Sequence, residues 1–422
     1  MRQEQSLDRR VLVIGAGMVG VSCALALQKK GYQVTVIDRL EPGEACSHGN
    51  AGVIATSSCV PLIMPGTLRK APGWLLRRDG PLAMDWRYLP RMAGWLYRAS
   101  GFTKPSDLKR ISSALHALHS RAVEDHMEQA RDAACADILD RTRYLHVYET
   151  AKGFEGDRAA WDLRRELGWE VAVIDGHDIP DAEPALAPIF AKGVLLEGHA
   201  VARNPGRLVK ALAQDFVARQ GRLYRAEVRE IQPGSDGRVA VKTSGETLEA
   251  GHLVLAAGAW SAELSHSLGH RFPLVSERGY HVMFEEPEVS LRQPVMFADG
   301  KFVANTMEEG LRLAGTAEFA AIERPVSAAR VDVIRKAARR FLPKLNGERT
   351  HEWMGARPSL PDTLPVIGRS HLHSGVYFAF GHGHTGLTAS ATTAKIIAAL
   401  VAGGTLPLDI HAFRPERFPA TS

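Results

Sequence analysis

Apolar and polar residues at the start of the chain follow a pattern that predicts a strand, a helix and a second strand. Arg10–Ile14 is a short apolar run typical of a buried parallel strand, and Gln33–Asp38 is a second one. Between them, Met18–Lys30 has the spacing of a helix, which Gly31 closes. The pattern therefore predicts that the chain begins with a βαβ unit.

The pattern changes further along the chain. Residues 62–100 mix proline, glycine, tryptophan and arginine, and residues 106–139 have the period of one long amphipathic helical stretch. We expect the segment 204–258 to return to the first sheet. The elements predicted after residue 200 are a helix over 205–220, strands near 223–231, 238–243 and 253–257, several strands within 270–319, a helix over 325–341, and a helix that follows a loop rich in glycine and histidine and ends near 402.

This order of elements predicts an α/β protein. We expect a Rossmann-type cofactor domain interleaved with an α+β substrate domain that is built on a mainly antiparallel sheet. The 422 residues are enough for two domains. We assign residues 1–65, 190–268 and 350–422 to the cofactor domain, and residues 66–189 and 269–349 to the substrate domain.

Composition and charge narrow the functional classes. Hydrophobic residues make up 45% of the chain, charged residues 23%, and the formal net charge is +5. These values are ordinary for a globular protein and low for a nucleic-acid binder, so we expect no nucleic-acid partner. The four cysteines form no CxxC pair, and outside Val11–Leu27 no apolar run is long enough to cross a bilayer. We expect reduced thiols and a cytoplasmic location.

A glycine-rich loop lies between the first predicted strand and helix. In the run Gly15–Gly20, the first glycine allows a tight turn, the second allows backbone to approach a pyrophosphate, and the third allows close helix packing. Asp38 follows Gly20 by 18 residues, at the end of the second strand, where a carboxylate accepts hydrogen bonds from a ribose. The combination predicts dinucleotide binding and disfavours the 2′-phosphate of NADP, but leaves NAD and FAD open.

Three further motifs carry a resemblance to a known family. They are Ser47-His48-Gly49-Asn50-Ala51-Gly52, the segment Arg357–Gly368 and the segment Gly381–Thr388. Together with the glycine loop, they make the chain similar to the D-amino-acid oxidase/dehydrogenase family of FAD proteins, and most similar to bacterial D-amino-acid dehydrogenases. The resemblance covers nearly the whole length and implies an enzyme with bound FAD.

The resemblance also implies which residues hold the cofactor. The SxxNAG loop would lie along the pyrophosphate and flavin, Val228 and Gly258 near the adenine and pyrophosphate, and the helix that begins at Gly386 would stabilise negative charge on the flavin. No cysteine falls in the last motif, so we expect noncovalent FAD. The predicted cofactor residues are Gly15, Gly17, Met18, Val19, Gly20, Asp38, Arg39, Ser47, Asn50, Ala51, Gly52, Val228, Gly258, Gly383, His384, Thr385, Gly386, Leu387 and Thr388.

For the substrate, the resemblance implies that Arg357 binds the carboxylate and that Tyr280 helps to hold the molecule. The simpler alternatives are an arginine that braces a loop and an exposed tyrosine on a strand. His384 and His48 are candidate flavin or substrate contacts, whereas ordinary buried or loop positions are expected for His281 and His382. The histidines lack zinc-like spacing, so we expect no metal.

The expected reaction is transfer of a hydride from the substrate Cα to flavin N5. Substrates left open are alanine-like, basic or cyclic D-amino acids, including D-proline and hydroxy-D-proline. The basic, tryptophan-containing segment 69–98 resembles an interfacial surface, which favours a membrane quinone or another carrier as electron acceptor, and a peripheral position on the inner membrane. The alternative for this segment is a charged helical face with buried tryptophans. Alternatives are an oxidase that uses oxygen, a nicotinamide-dependent dehydrogenase and a nucleotide-binding module without catalysis.

Overall fold

The computed structural model describes residues 7–67, 71, 73, 75, 80, 82–347 and 349–418. Its strands, in chain order, are β1 Arg10–Ile14, β2 Gln33–Asp38, β3 Val53–Ile54, β4 Leu82–Met84, β5 Leu139–Tyr148, β6 Ala172–Asp175, β7 Lys192–Ala202, β8 Arg222–Arg225, β9 Val228–Pro233, β10 Val239–Thr243, β11 Thr247–Ala250, β12 His252–Leu255, β13 Val275–Phe284, β14 Val295–Phe297, β15 Phe302–Met307, β16 Gly310–Phe319, β17 Thr350–Ser359, β18 Val366–Arg369 and β19 Val376–Phe380.

The α-helices of the described residues alternate with these strands along much of the chain. In chain order they are α1 Met18–Lys29, α2 Leu89–Ser100, α3 Pro105–His119, α4 Ala122–Asp132, α5 Ala151–Gly156, α6 Arg158–Glu166, α7 Ile179–Ala182, α8 Pro205–Ala218, α9 Ser261–Leu264, α10 Ala328–Phe341 and α11 Gly386–Ala402.

The first sheet confirms the predicted βαβ beginning. Its six strands lie in the order β18-β19-β12-β1-β2-β8, and all neighbours are parallel except β18 and β19. Helices α1, α8 and α11 bury their apolar side chains with the first sheet in one large core. The carboxyl ends of β1 and β2 therefore meet the start of α1, which is where a Rossmann unit binds its ligand.

The second large sheet has ten strands and is mainly antiparallel. Its main order is β17-β13-β16-β15-β14-β5-β7-β3, while β4 pairs with β16 and β6 pairs with β7. One face packs on α10 around a second apolar core. Strands β7 and β17 belong to this sheet although both fall in ranges assigned to the cofactor domain, because β7 pairs with β5 and β17 pairs with β13 along their lengths.

Two sequence expectations about local structure were wrong. The stretch 106–139 is two main helices, α3 and α4, because Arg121 leaves the helical region with φ −102° and ψ 7°. The segment 204–258 does not return wholly to the first sheet. Only β8 and β12 join it, and β9, β10 and β11 form a separate three-stranded antiparallel sheet. The break between β8 and β9 falls where the Ala226 N–H donates to the Asp38 carbonyl oxygen.

In the part of the chain that the structure describes, no helix is both long enough and apolar enough to span a membrane.

Candidate functional site

The glycine loop after β1 is shaped by contacts that leave no room for side chains. Gly15 has φ +111°, and a Cβ there would lie 2.4 Å from the Ala256 carbonyl oxygen. A Cβ on Gly20 would lie 1.9 Å from the Gly15 carbonyl oxygen, so α1 packs directly on the loop. The Ala16 N–H donates to the Asp38 carboxylate at 2.7 Å. Asp38 thus holds the loop in shape and borders the space that the loop encloses.

The loop 47–52 is fixed by side chains from the ten-stranded sheet. Its four consecutive carbonyl groups at 48–51 are all engaged. Arg312 Nη1 donates to the carbonyl oxygens of residues 48 and 50 at 3.2 and 2.8 Å, and Asn305 Nδ2 donates to that of residue 51 at 3.0 Å. His281 Nδ1 lies 3.0 Å from the carbonyl oxygen of residue 49, so this nitrogen carries the proton.

The carbonyl groups and the N–H groups of this loop therefore point in different directions. Because its carbonyl groups face the ten-stranded sheet, the N–H groups of residues 49–51 are left without an acceptor among the described residues. These residues border the cavity. Ser47 Oγ meanwhile accepts a hydrogen bond from the Met18 N–H at 3.0 Å, which ties the loop to the start of α1. The loop therefore presents peptide donors to a ligand in the cavity.

The third element that borders the cavity, after the glycine loop and the loop 47–52, is the start of α11. The helix begins at Gly386, Thr385 provides no side-chain cap, and the first N–H groups of a helix have no partner within it. Thr388 Oγ1 accepts a hydrogen bond from the Ala55 N–H at 3.1 Å, which anchors the segment after β3 beside this helix start. The positive end of the helix dipole is therefore directed at the cavity and favours negative charge there.

All three elements border one cavity of about 1180 Å³. Every predicted cofactor residue lines it except Gly20 and Gly52, which have packing roles; a Cβ on Gly52 would lie 2.4 Å from the Ala202 carbonyl oxygen. At one end of the cavity lie Val228 and Gly258, with the Arg39 guanidinium 4.5 Å from the Trp260 ring. A cavity of this volume, bordered by the glycine loop and by peptide donors of the loop 49–51 and of the start of α11, suits a dinucleotide cofactor, and the residues present fit FAD.

At the other end, Arg357 forms an ion pair that the sequence did not reveal. Arg357 Nη1 donates to Glu277 Oε1 at 2.7 Å and to the Thr316 carbonyl oxygen at 3.3 Å. The second carboxylate oxygen of Glu277 accepts from Ser359 Oγ at 3.0 Å. The guanidinium lies against Gly279, where a Cβ would be 2.2 Å from Nη2. Nε and Nη2 have no partner among the described residues, so two donors of Arg357 remain for a ligand.

Two titratable groups beside this pair are neutral at neutral pH. His384 borders the cavity, and burial lowers its pKa; Arg357 lowers it further, while Glu277 opposes both. Burial raises the pKa of the Cys46 thiol to about 11, with a smaller opposing effect of Arg357. The charges at this end of the cavity are therefore those of Arg357 and Glu277.

Two predicted site residues have their main contacts away from the Arg357 pair, although Tyr280 borders the cavity. His48 does not border the cavity: its ring packs beside Gly206, where a Cβ would lie 3.2 Å from Nδ1, and burial lowers its pKa. Tyr280 is only 1% exposed, and its hydroxyl donates to the carboxylate of Glu318. Because successive side chains of a strand point to opposite faces, Tyr280 does not join the Glu277–Arg357 pair. This arrangement argues against a substrate contact by its hydroxyl.

The remaining histidine expectations agree with the structure. His281 is fully buried and stacks on Trp353 with ring centroids 5.4 Å apart. His382 is also buried, and its Nε2 lies 3.0 Å from Thr393 Oγ1. Trp353 itself was missed by sequence reasoning. It borders the cavity and lies so close to Gly49 that a Cβ there would be 1.9 Å from its ring.

The segment 69–98 divides into parts with different environments. Within this segment, residues 69, 70, 72, 74, 76–79 and 81 lie outside the described residues, so the first half of the predicted interfacial surface is not tested. In the second half, Trp95 is 4% exposed and donates from Nε1 to the Ser359 carbonyl oxygen at 3.2 Å, so it is a core residue. Trp86 and Tyr97 are 64% and 81% exposed, beside the exposed Arg87, Arg91 and Arg98.

Comparison with known proteins agrees with this geometry. The profile of the DAO family, described as FAD dependent oxidoreductase, matches residues 10–400. A D-amino-acid oxidase of Bradyrhizobium diazoefficiens is 37% identical, over 97% of this chain and 99% of that protein. A D-amino acid dehydrogenase of Paramagnetospirillum magneticum is 30% identical, over 97% and 99%.

The fold has solved counterparts as well. The crystal structure of glycine oxidase from Geobacillus kaustophilus superposes with a TM-score of 0.78 at 21% identity, over 97% of this chain and 99% of that one. The family profile thus covers residues 10–400, and the fold match covers 97% of the chain. The protein therefore belongs to the DAO family of FAD-dependent oxidoreductases.

Proposed function

We propose that this protein oxidises the Cα–N bond of a small D-amino acid and passes the electrons to a quinone or another carrier. The observation that carries the proposal is the Arg357 guanidinium, which borders the cofactor cavity with two donors free. A guanidinium fork is suited to a carboxylate. The relatives named D-amino-acid oxidase and D-amino acid dehydrogenase support the substrate class.

Bound FAD supplies the ring that accepts a hydride from the substrate Cα. The residues of the chain position the substrate and the cofactor. Arg357 binds the carboxylate through Nε and Nη2, while Glu277 and the Thr316 carbonyl group hold Nη1 in place. The start of α11 and the donors of the loop 49–51 orient the cofactor and favour the negative charge that develops on it. The product is an imino acid, which water hydrolyses unless it is cyclic.

The proposed reaction does not require a strong general base from the protein. If the substrate amine binds in its neutral form, no strong base is needed at Cα. His384 is neutral at this place because burial lowers its pKa, so it is suited to contact the substrate or cofactor without adding charge. FAD is bound without a covalent link in this proposal, since burial keeps the Cys46 thiol protonated.

The proposed acceptor rests on the surface around α2. Trp86 and Tyr97 are exposed aromatic side chains, and Arg87, Arg91 and Arg98 are exposed cations in the same segment. Aromatic rings among cations are typical of a peripheral contact with an anionic membrane, where a quinone is available. Oxygen is the second candidate acceptor, and the relative from Bradyrhizobium diazoefficiens that is named an oxidase favours it.

The test is turnover by the purified holoenzyme with matched D- and L-amino acids, including alanine, proline and hydroxyproline. Each substrate is assayed with a soluble quinone under argon and with air in a peroxide assay. The proposal predicts turnover of D-enantiomers with the quinone and little hydrogen peroxide. Equal or faster turnover with oxygen would make the protein an oxidase, and turnover of L-enantiomers alone would reject the substrate class.

A further inference from the structure

The cavity has a further polar region, here called the distal end, that is separate from the Arg357 site. This distal end is bordered by β5 and α6, and its polar side chains are Tyr144, His146 and Arg164. Arg164 is held rigidly: Nε donates to the Ser57 carbonyl oxygen at 3.1 Å, and Nη1 donates to the Ala160 carbonyl oxygen at 3.2 Å. Its guanidinium also lies 4.5 Å from the Trp161 ring.

Arg164 carries a charge that no carboxylate neutralises at close range. None of its nitrogen atoms forms an ion pair with an acid of the described residues, and Nη2 has no hydrogen-bond partner there. Asp157, the acid that attracts it electrostatically, is engaged by the Tyr148 hydroxyl at 3.2 Å and by Lys301 at 3.6 Å. Burial disfavours the charged guanidinium and lowers the pKa of Arg164.

The two neighbours of Arg164 are unpartnered as well. The Tyr144 hydroxyl has no hydrogen-bond partner among the described residues, although the side chain is 7% exposed. Neither ring nitrogen of His146 has one, and its Nε2 is fully buried. The rings of the two residues lie 4.6 Å apart, and the His146 ring meets Trp161 edge to face at 5.1 Å. Buried polar groups in proteins are nearly always paired, so the buried Nε2 of His146 points to a ligand, together with the Tyr144 hydroxyl and Arg164 Nη2, which lie unpaired in the lining of the same cavity.

The distal end is close to the reacting part of the cavity. Ser57, which binds Arg164, is two residues from Ala55, which binds Thr388 at the start of α11. Two residues span at most about 7 Å of extended chain. The distal end is therefore near the helix that faces the reactive ring of the cofactor, whereas Val228 and Trp260 border the adenine end.

We propose that Arg164, Tyr144 and His146 form a carboxylate-binding subsite, and that the preferred substrate is a D-amino acid with an acidic side chain. The inference rests on the proposed function, because it places the side chain of that substrate. Arg164 donates to the carboxylate through Nη2, and the Tyr144 hydroxyl and the neutral His146 ring supply further donors. Lys152 and Lys301 lie at the rim with Asp157 and Asp299, so the rim itself is balanced in charge.

Kinetics with isosteric substrates test the side-chain assignment. We compare D-glutamate with D-glutamine and D-aspartate with D-asparagine, in wild type, Arg164→Met and the control Arg165→Met, whose arginine is exposed on the same helix and pairs with Asp162. The wild type and the control should prefer the acid over the amide by at least tenfold in kcat/KM. Arg164→Met should remove this preference and retain turnover of D-alanine. Equal turnover of acid and amide by the wild type would overturn the assignment.

Binding of glutarate to the holoprotein, measured by calorimetry, separates the subsite from the reaction. Arg164→Met should weaken glutarate binding by at least tenfold, and the milder Tyr144→Phe by about threefold. Acetate should bind weakly to the wild type and to both variants. If these losses appear but no D-amino acid is oxidised, the subsite stands and the proposed function fails. If D-amino acids are oxidised while glutarate binds all variants equally, the subsite fails and water fills the distal end. Tyr144→Phe keeps the test valid should Arg164→Met not fold.

Discussion

The Arg357 guanidinium and the Glu277 carboxylate meet at 2.7 Å across the adjacent strands β17 and β13. The pair leaves two donors of Arg357 free at the edge of the cavity. It also fixes the plane of the guanidinium, since Glu277 is itself held by Ser359. This geometry explains how one cation can both remain in place without substrate and receive a carboxylate.

The first prediction concerns Arg357→Lys. A lysine cannot reproduce a two-donor fork, and charge-assisted hydrogen bonds contribute about 1.5–3 kcal/mol each, so KM for a D-amino acid should rise about 10- to 100-fold. FAD affinity should stay within about threefold. Arg349→Lys, at an exposed arginine that pairs with Glu286, is the control and should change neither constant. Unchanged steady-state constants in Arg357→Lys would remove Arg357 from the site.

The second prediction concerns Glu277 as a positioning residue. Glu277→Ala frees Nη1 of Arg357 and should raise KM about tenfold, whereas Glu277→Gln retains an oxygen acceptor for the guanidinium and should stay within about threefold of wild type. Rescue by the amide distinguishes positioning from a need for the negative charge. Equal defects in both variants would show that the charge itself is required.

The third prediction concerns the loop 47–52. Arg312→Met removes the donor to two carbonyl groups, so the loop should lose its fixed direction and the dissociation constant of FAD should rise at least tenfold. KM measured at saturating FAD should change little. Asn305→Leu, which frees one carbonyl group, should have a smaller effect in the same direction. FAD titrations that give the wild-type constant for Arg312→Met would contradict this role.

The sequence brought most of the predicted cofactor residues to one cavity, because their positions depend on local motifs, and their contacts with FAD stay predictions. Gly15 and Asp38 follow from strand, turn and helix signals that are contiguous in sequence, whereas the start of α11 at Gly386 follows from the resemblance of the last motif. The structure places all three around one cavity. The bounds of β1, β2 and α11 agree with the predicted ones within one residue. Local backbone rules are sufficient to predict a site in which a loop must expose its N–H groups.

The substrate half was predicted less well, since it depends on pairing between distant strands. Glu277 meets Arg357 only through the register of β13 and β17, 80 residues apart in the chain. The same register points Tyr280 to the opposite face, which a motif alone does not show. Arg164 stands on a helix with ordinary amphipathic spacing, and no sequence signal sets it apart from Arg165. Gly279 and Gly355, two glycines within strands, were the available hints that large side chains lie against them.

A fourth prediction concerns stability in acid. Burial lowers the pKa values of His119, His281 and His382 to about 3. In the unfolded chain these values return to about 6.5, so unfolding takes up protons between the two values. The contribution of these histidines to the free energy of unfolding is fully present above pH 6.5. It is lost as the pH falls towards 3, by about 4 kcal/mol per pH unit for three such groups.

Thermal unfolding of the holoprotein between pH 7.5 and 4.5 measures this dependence. His382→Asn should keep a hydrogen bond to Thr393 and reduce the slope by about 1.4 kcal/mol per pH unit, the contribution of one such group. A transition temperature that does not change over this range would show that these histidines are protonated in the folded protein.

A fifth prediction concerns the surface around α2. Wild-type protein should bind liposomes that contain anionic lipid at low salt and dissociate as salt rises, since each nearby cation adds about 1 kcal/mol of screened attraction. Replacing Trp86 and Tyr97 together by alanine should weaken binding. Leu372→Ala, at another exposed apolar residue, is the control and should bind like the wild type. Absence of wild-type binding at low salt would reject the membrane contact and leave the reaction unaffected.

The most direct test of the central claim is anaerobic mixing of the FAD-loaded protein with single amino acids while the absorbance of oxidised flavin near 450 nm is followed. The account predicts that D-amino acids bleach this band in the wild type, that the L-enantiomers do not, and that Arg357→Lys requires at least about tenfold more substrate for the same rate. A band that no amino acid bleaches, or that only L-amino acids bleach, would contradict the account.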